Sequence, residues 1–256
     1  MIPVMDSARR PITVVTGGSR GIGAATVLHL ARNGHDVAVN YRQDEEAAER
    51  IVQMAAAAGA RAVSVRADVT SEDDVERLFD AAQQKLGPVS GLVNNAGVTI
   101  HFGDLAETPV DVLREVLEVD LVGVILCARR AAQMMSTRRG GMGGAIVNVS
   151  SAAATLGSAH EYVHYAAAKA GVDALTIGLG KELAEDGIRV NAVAPGIVRT
   201  DIHAAAGDAD RPDRMAARIP LGRPGEPAEI ATAIGWLLSP EASYVTGAIL
   251  RIAGGL

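Results

Sequence analysis

The chain of 256 residues is 48% hydrophobic and only 3% aromatic, and its formal net charge of −6 is spread over interspersed acids and bases. Without a block of Lys and Arg there is no footprint for a nucleic-acid backbone, and no apolar run reaches the length of a bilayer-spanning helix. A chain this long buries a core large enough to fold without disulfide or metal staples, and its one cysteine, Cys127, lies in the apolar helical pattern VGVILCARRAAQMM, where it reads as a small buried hydrophobe of a reducing compartment.

The N-terminal MIPVMDSARRP lacks the apolar stretch of a secretory signal, so a cytoplasmic location is expected. PITVV (11–15) reads as a first strand, followed by the Gly-rich TGGSRGIG (16–23) and the helix GAATVLHLARNG, closed by Gly34. DVAVN (36–40) is a second strand, EEAAERIVQMAAAAG a helix ending at Gly59, and RAVSVRADV (61–69) a third strand that ends at Asp68 and Val69. SEDDVERLFDAAQQKLG is a helix with Ser71 as N-cap and acids in its first turn. GLVNNAG is a fourth strand, and a long helical region runs from Thr108 to Thr137. AIVNVSS, ending in Ser150 and Ser151, is a fifth strand, and a helix follows around Tyr165. IRVNAVAPG is a sixth strand, a helix covers 227–238, and the last strand falls near AILRIAGG.

Strict alternation of strands and helices predicts an α/β, doubly wound fold with a parallel sheet and helices on both faces. No repeat or change of composition divides the chain. The expectation is one domain over 1–256, with a cofactor part at 11–150 and a catalytic and substrate part at 151–256. The polar, Gly- and Pro-punctuated stretch 199–226 follows a strand's C-terminal end, where such sheets bind ligands, and reads either as a surface loop or as a substrate lid.

The segment Gly17-Gly18-Ser19-Arg20-Gly21-Ile22-Gly23 lies between a strand and a helix, the setting of a phosphate-cradling turn: glycines admit the backbone to a pyrophosphate and the helix N-terminus supplies N–H donors. Its spacing lacks the third glycine of the common dinucleotide pattern. An NAD site would place an acid at the end of the second strand, whereas this strand ends at Asn40, followed by Tyr41 and Arg42. Arg20 and Arg42 suit a 2′-phosphate, so NADP(H) is the expected cofactor, with NAD(H) second. Asp68 and Val69 stand where an adenine edge would lie, and Asn95, Ala96 and Gly97 where the ribose would.

Tyr165 and Lys169 lie four apart on one helix face. A free phenol titrates too high for a neutral-pH base, and a nearby ammonium favours the phenolate, making the pair a candidate general acid/base. Ser150 or Ser151, at a strand end, can bond a substrate oxygen. The six histidines show no metal-ligand spacing, and no G-x-S-x-G elbow is present. His101, Ser158, His160, Glu161 and His203 near the expected cleft suggest a polar ligand.

Together TGGSRGIG, NNAG, the serine pair, YAAAK and APGIVRT, in this order and over almost the whole chain, resemble the short-chain dehydrogenase/reductase family, most of all its glucose 1-dehydrogenase-like and 3-oxoacyl-carrier-protein reductase-like members. The resemblance implies a Rossmann fold with a seven-stranded parallel sheet, a nicotinamide cofactor, hydride exchange with a sugar or a 3-oxoacyl thioester, and a homotetramer. It also implies roles. Tyr165 would transfer the proton, Lys169 would bind the nicotinamide ribose and lower the tyrosine pKa, and Ser151 would hold the carbonyl oxygen. Gly17, Gly21 and Gly23 would line the pyrophosphate, Asp68 would meet the adenine, and Pro195, Gly196, Ile197 and Thr200 would hold the carboxamide. Two departures stand out. Asp120 occupies the place of a family asparagine that keeps a water in the proton relay, and an ionised aspartate only accepts hydrogen bonds. Ser151 and Tyr165 are also one residue further apart than in many relatives. Asp120 motivates an alternative reading, a catalytically impaired NADP(H)-binding sensor or scaffold.

Overall fold

The computed structural model describes residues 10–202, 207–208 and 210–256; His203 lies outside them. Seven strands form one parallel sheet: β1 (Ile12–Val15), β2 (Asp36–Tyr41), β3 (Ala62–Arg66), β4 (Gly91–Asn94), β5 (Gly144–Val149), β6 (Ile188–Pro195) and β7 (Ile249–Ile252). Their spatial order is β3-β2-β1-β4-β5-β6-β7. The chain therefore winds outward from β1 in one direction and returns to β4 to wind in the other. The loops leaving β1 and β4 diverge at this switch point and open a crevice at the carboxyl ends of the strands.

The central strands are short aliphatic runs because helices cover both of their faces. All four residues of β1 and all six of β2 are buried. β1 and β4 approach closely at Gly91, where a Cβ would lie 2.5 Å from Thr13 Oγ1. One face carries α3 (Glu72–Leu86) and α5 (Gly123–Met135), packing Leu78, Phe79, Cys127 and Met135 on the sheet. The other carries α1 (Gly21–Arg32), α2 (Glu45–Ala57) and a helix at Pro227–Leu238, packing Val27, Leu30, Ile230 and Ile234. Cys127 is fully buried, and burial pushes its thiol up to about 12, so it packs as a hydrophobe.

Four differences from the sequence reading bear on the site. The region 108–137 is not one regular helix: α4 (Val110–Leu117) runs into a π turn at Glu118–Val122 before α5. β3 stops at Arg66, which leaves Asp68 and Val69 on the loop beyond it. β5 stops at Val149, so Ser150 and Ser151 begin the following loop. Finally, 199–226 is not structureless. After α6 (Ala153–Leu156) and α7 (Val163–Glu182) it contributes a short helix α8 (Arg211–Met215) and a 3-10 turn (Ala216–Arg218), pinned at its base by a parallel bridge between Val198 and Gly225. The helix at Pro227–Leu238 is then α9. Among the described residues no helix is long and apolar enough to cross a membrane, and no group of three or more His, Cys, Asp or Glu side chains is placed to hold a metal ion.

Candidate active site

The crevice is a single cleft of about 740 Å3 lined from the ends of β1 through β6. At its floor the β1–α1 turn has Gly17 and Gly21 at φ of 59° and 55°, left-handed conformations that favour glycine. A Cβ on Gly17 would meet Ala96 Cα at 3.0 Å, and one on Gly23 would sit 2.2 Å from Gly17 O, so the turn and the first turn of α1 close tightly. No side chain caps α1, and its first N–H groups are left for a ligand. Ser19, Arg20 and Ile22 line the same wall, with Arg20 exposed at its lip. These features fit a dinucleotide phosphate.

Two asparagines expected as cofactor contacts also brace this turn. Asn40 is buried; its Oδ1 accepts from Gly17 N at 3.1 Å and its Nδ2 donates to Ala67 O at 2.9 Å. Asn95 donates through Nδ2 to Thr16 O (2.9 Å) and Gly17 O (3.0 Å), while its N–H and that of Ala96 donate to Thr16 Oγ1. Both border the cleft, with the Asn40 amide and the Asn95 Nδ2 engaged by the backbone. The charge at the end of β2 comes from Arg42, about half exposed and 3.9 Å from Asp68. Asp68 Oδ1 accepts from the Thr70 N–H and hydroxyl. Val69, Ala96 and Gly97 line the cleft beside them, as do Pro195, Gly196, Ile197 and Thr200 from the end of β6. Thr200 faces Gly21 across it, with Cγ2 3.3 Å from a Cβ built on that glycine.

The catalytic candidates meet in the middle of the cleft. Tyr165 is the third residue of α7, and Lys169, one turn on, places Nζ 5.5 Å from the phenol ring centroid. Lys169 Nζ donates to Val149 O at 3.1 Å and lies 3.0 Å from Asp120 Oδ1, off the line of a well-formed hydrogen bond to that oxygen. The other Asp120 oxygen accepts from Val98 N at 3.2 Å. Asp120 is fully buried because it belongs to the π turn between α4 and α5. Both serines border the cleft: Ser150 is buried and donates to Lys169 O at 3.3 Å, whereas Ser151 is half-buried, accepts from Ala153 N at 3.1 Å and acts on the Tyr165 phenol to lower its pKa.

Electrostatics here differ from the simple tyrosine–lysine picture. Burial pushes the Tyr165 phenol above its ordinary range; the Lys169 ammonium pulls it down, but Asp120 opposes that pull, and the net shift is upward. Burial likewise raises the Asp120 carboxyl, against the pull of Lys169. Burial works to discharge Lys169, yet Asp120 and Tyr165 hold it above the usual lysine value.

The other end of the cleft holds an aromatic cluster that the sequence reading did not single out. Phe102 and Tyr162 pack edge to face at 5.0 Å, and Tyr162 and Tyr165 do so at 5.3 Å. Arg211 of α8 is buried against both Phe102 and Tyr162. Three of the chain's six Phe and Tyr residues thus meet at one place. The available signal was Tyr162, three residues before Tyr165, at the N-cap of the same helix. Of the polar residues expected near the cleft, Ser158 and Glu161 line it, His160 is exposed and 2.8 Å from Asp104, and His101 does not line it.

Residues 17–256 match a family model described as Enoyl-(Acyl carrier protein) reductase. The chain is 47% identical to an uncharacterized oxidoreductase, YgfF, of Escherichia coli (strain K12), over 95% of this chain and 99% of that one. It is 37% identical to a 3-oxoacyl-[acyl-carrier-protein] reductase of Synechocystis sp. (strain ATCC 27184 / PCC 6803 / Kazusa), over 98% and 95%. A crystal structure of a short-chain type dehydrogenase/reductase from Mycobacterium marinum superposes with a TM-score of 0.88 at 32% identity, covering 96% of this chain and 95% of that one. With the seven-stranded parallel sheet and the Tyr-Lys-Ser cleft already in place, the chain belongs to the short-chain dehydrogenase/reductase family and is an oxidoreductase acting on CH–OH groups.

Proposed function

We propose that the protein interconverts a carbonyl and an alcohol with NADP(H), Tyr165 passing the proton to or from the substrate oxygen. The observation that carries this reading is the convergence of Ser151, Tyr165 and Lys169 on one cleft whose floor is the Gly17–Gly23 cradle. The cradle and the α1 N-terminus would hold the pyrophosphate, and Arg20 and Arg42 the 2′-phosphate, with NAD(H) the weaker partner. Asp68, Val69, Ala96 and Gly97 would border the adenosine half, with Asn40 and Asn95 bracing the turn. Pro195, Gly196, Ile197 and Thr200 would border the carboxamide. Nicotinamide, when bound, supplies or takes the hydride.

The chain's own residues handle the oxygen. Ser151 holds it against the Tyr165 hydroxyl. Tyr165 donates its proton in reduction and accepts one in oxidation. Lys169 supplies the positive charge that makes the phenolate accessible. The relative named for 3-oxoacyl reduction supports a 3-oxoacyl thioester as substrate, beside a sugar. Exposed apolar side chains on α4, α5 and α7 (Val110, Leu117, Ile125 and Ile177) support a homotetramer, and a cytoplasmic location is part of the same reading.

The test is NADPH consumption by the purified protein across 3-oxoacyl thioesters, sugar lactones, diketones and quinones, with NADH in parallel. Turnover of at least one class, faster with NADPH, is expected. NADPH binding with no turnover on any of them favours the sensor reading, for which Asp120 beside Lys169 is the single supporting observation.

A further inference from the structure

Resting on the reading of this cleft as a carbonyl reductase site, we propose that its substrates carry a carboxylate and that Arg211 binds it. Arg211 opens α8 and leans into the cleft with only 5% of its surface exposed. Its guanidinium lies 5.0 Å over the Phe102 ring and 5.4 Å over the Tyr162 ring. Tyr162 is in turn edge to face with Tyr165, so one ring separates this cation from the acid/base.

The fork of the guanidinium is only partly used. Nη2 donates to Glu161 Oε2 at 2.7 Å and to the Tyr162 hydroxyl at 3.1 Å. Nε is buried and has no partner among the described residues. A bidentate pair would occupy two N–H groups of the fork, leaving none on that edge for a ligand. Glu161 meets it through one oxygen and one nitrogen, which keeps the cation charged and oriented while Nε is left over. A buried N–H donor without an acceptor is a cost that a ligand oxygen removes.

Phe102 packs on it, and Leu156, Ile202 and Met215 line the same cleft. They suit a hydrocarbon body with one anionic end. The class that fits is a keto acid and its hydroxy acid, with the reacting carbon at Ser151 and Tyr165 and the carboxylate on Arg211. A plain sugar or a thioester would leave this anchor unused, so within the carbonyl reductase reading the oxo acid replaces them as the preferred substrate.

Two matched pairs of probes test this on the full chain: 4-oxopentanoate with its ethyl ester, and 4-oxocyclohexanecarboxylate with its methyl ester. Wild-type kcat/KM with NADPH is expected to favour the acid of at least one pair by about 10- to 100-fold. In Arg211→Gln that preference should collapse through a rise in KM for the acid, and Arg211→Lys should restore part of it. Thermal stabilisation by each probe in the presence of NADP+ gives a second readout that needs no turnover: the acid should raise Tm more than its ester in wild type, and not in Arg211→Gln. Equal or better use of the ester by wild type, with no extra stabilisation by the acid, overturns the proposal. So does an Arg211→Gln variant that loses acid and ester alike, because Arg211 would then only latch α8 to α7. If no carbonyl is turned over at all, the reductase reading fails, and the stabilisation assay still decides whether Arg211 binds a carboxylate.

Discussion

Asp120 sits where its carboxylate can reach both the Lys169 ammonium and the Val98 N–H, and it changes what the lysine does for Tyr165. Burial holds the phenol above its usual range, and the Asp120 carboxylate adds to that by opposing the pull of the Lys169 ammonium. Removing that carboxylate should lower the tyrosine pKa. For alcohol oxidation, which needs Tyr165 as a base, activity rises as pH passes that pKa. Asp120→Asn is therefore expected to move the rising limb of log kcat/KM against pH to lower pH; a limb that stays in place would mean that Asp120 does not modulate Tyr165. A second residue-scale prediction concerns the cofactor. Asn40 is committed to the turn, so Arg42 is the residue at the end of β2 still able to read a 2′-phosphate. Arg42→Asp should shift the NADPH/NADH preference toward NADH by about 10-fold or more, measured as a ratio of kcat/KM values. An unchanged ratio would remove Arg42 from that role.

At the scale of elements, most of what positions the site was legible in the sequence. β1, β2 and β5 are aliphatic because both of their faces are covered, and Ser71 caps α3 by accepting from Asp74 N, as its place before an acidic run suggests. Three features were not legible, each for a physical reason. The π turn adds one residue to a turn inside an otherwise helical pattern, a change too small to break the apolar periodicity, yet it is the segment that carries Asp120 inward. Asn40 stands in the sequence where an NAD site would carry an acid, and only the fold shows that Gly17 N and Ala67 O engage its side chain. Arg211 lies in a polar stretch whose charges read as solvated, and its burial depends on Phe102 and Tyr162, distant in sequence.

The caps also make a testable pH prediction. In α9, Glu229 accepts from Glu226 N and pairs with Arg223, which depresses its pKa to about 2 from an ordinary 4.5. A carboxylate depressed on folding contributes stability above its unfolded pKa and loses it as pH falls toward the folded one. Glu229→Gln should thus lower Tm at neutral pH, and the gap to wild type should close between about pH 4.5 and 2. Because the pair is exposed, the gap should also shrink with added salt. A gap independent of pH would assign the effect to packing.

For the whole molecule, the strand order does the placing. β1 and β4 are neighbours that lead away in opposite directions, so the cradle, the β4 loop with Asn95, and the β5 and β6 loops with Ser151 and Thr200 share one crevice. That arrangement depends on the core beneath it. Phe79, between α3 and the sheet, is its largest fully buried side chain among the described residues, and Phe79→Ala should cost about 3–5 kcal/mol in chemical denaturation; a loss below about 1 kcal/mol would show that the core collapses around the gap. The central claim is that this crevice reduces a carbonyl through Tyr165. Its most direct test is NADPH consumption by wild type and by Tyr165→Phe, on the carbonyl that wild type uses best. The account predicts steady turnover by wild type and a loss of about 100-fold or more in the variant, with NADPH binding retained. A Tyr165→Phe variant that turns over at the wild-type rate would contradict it.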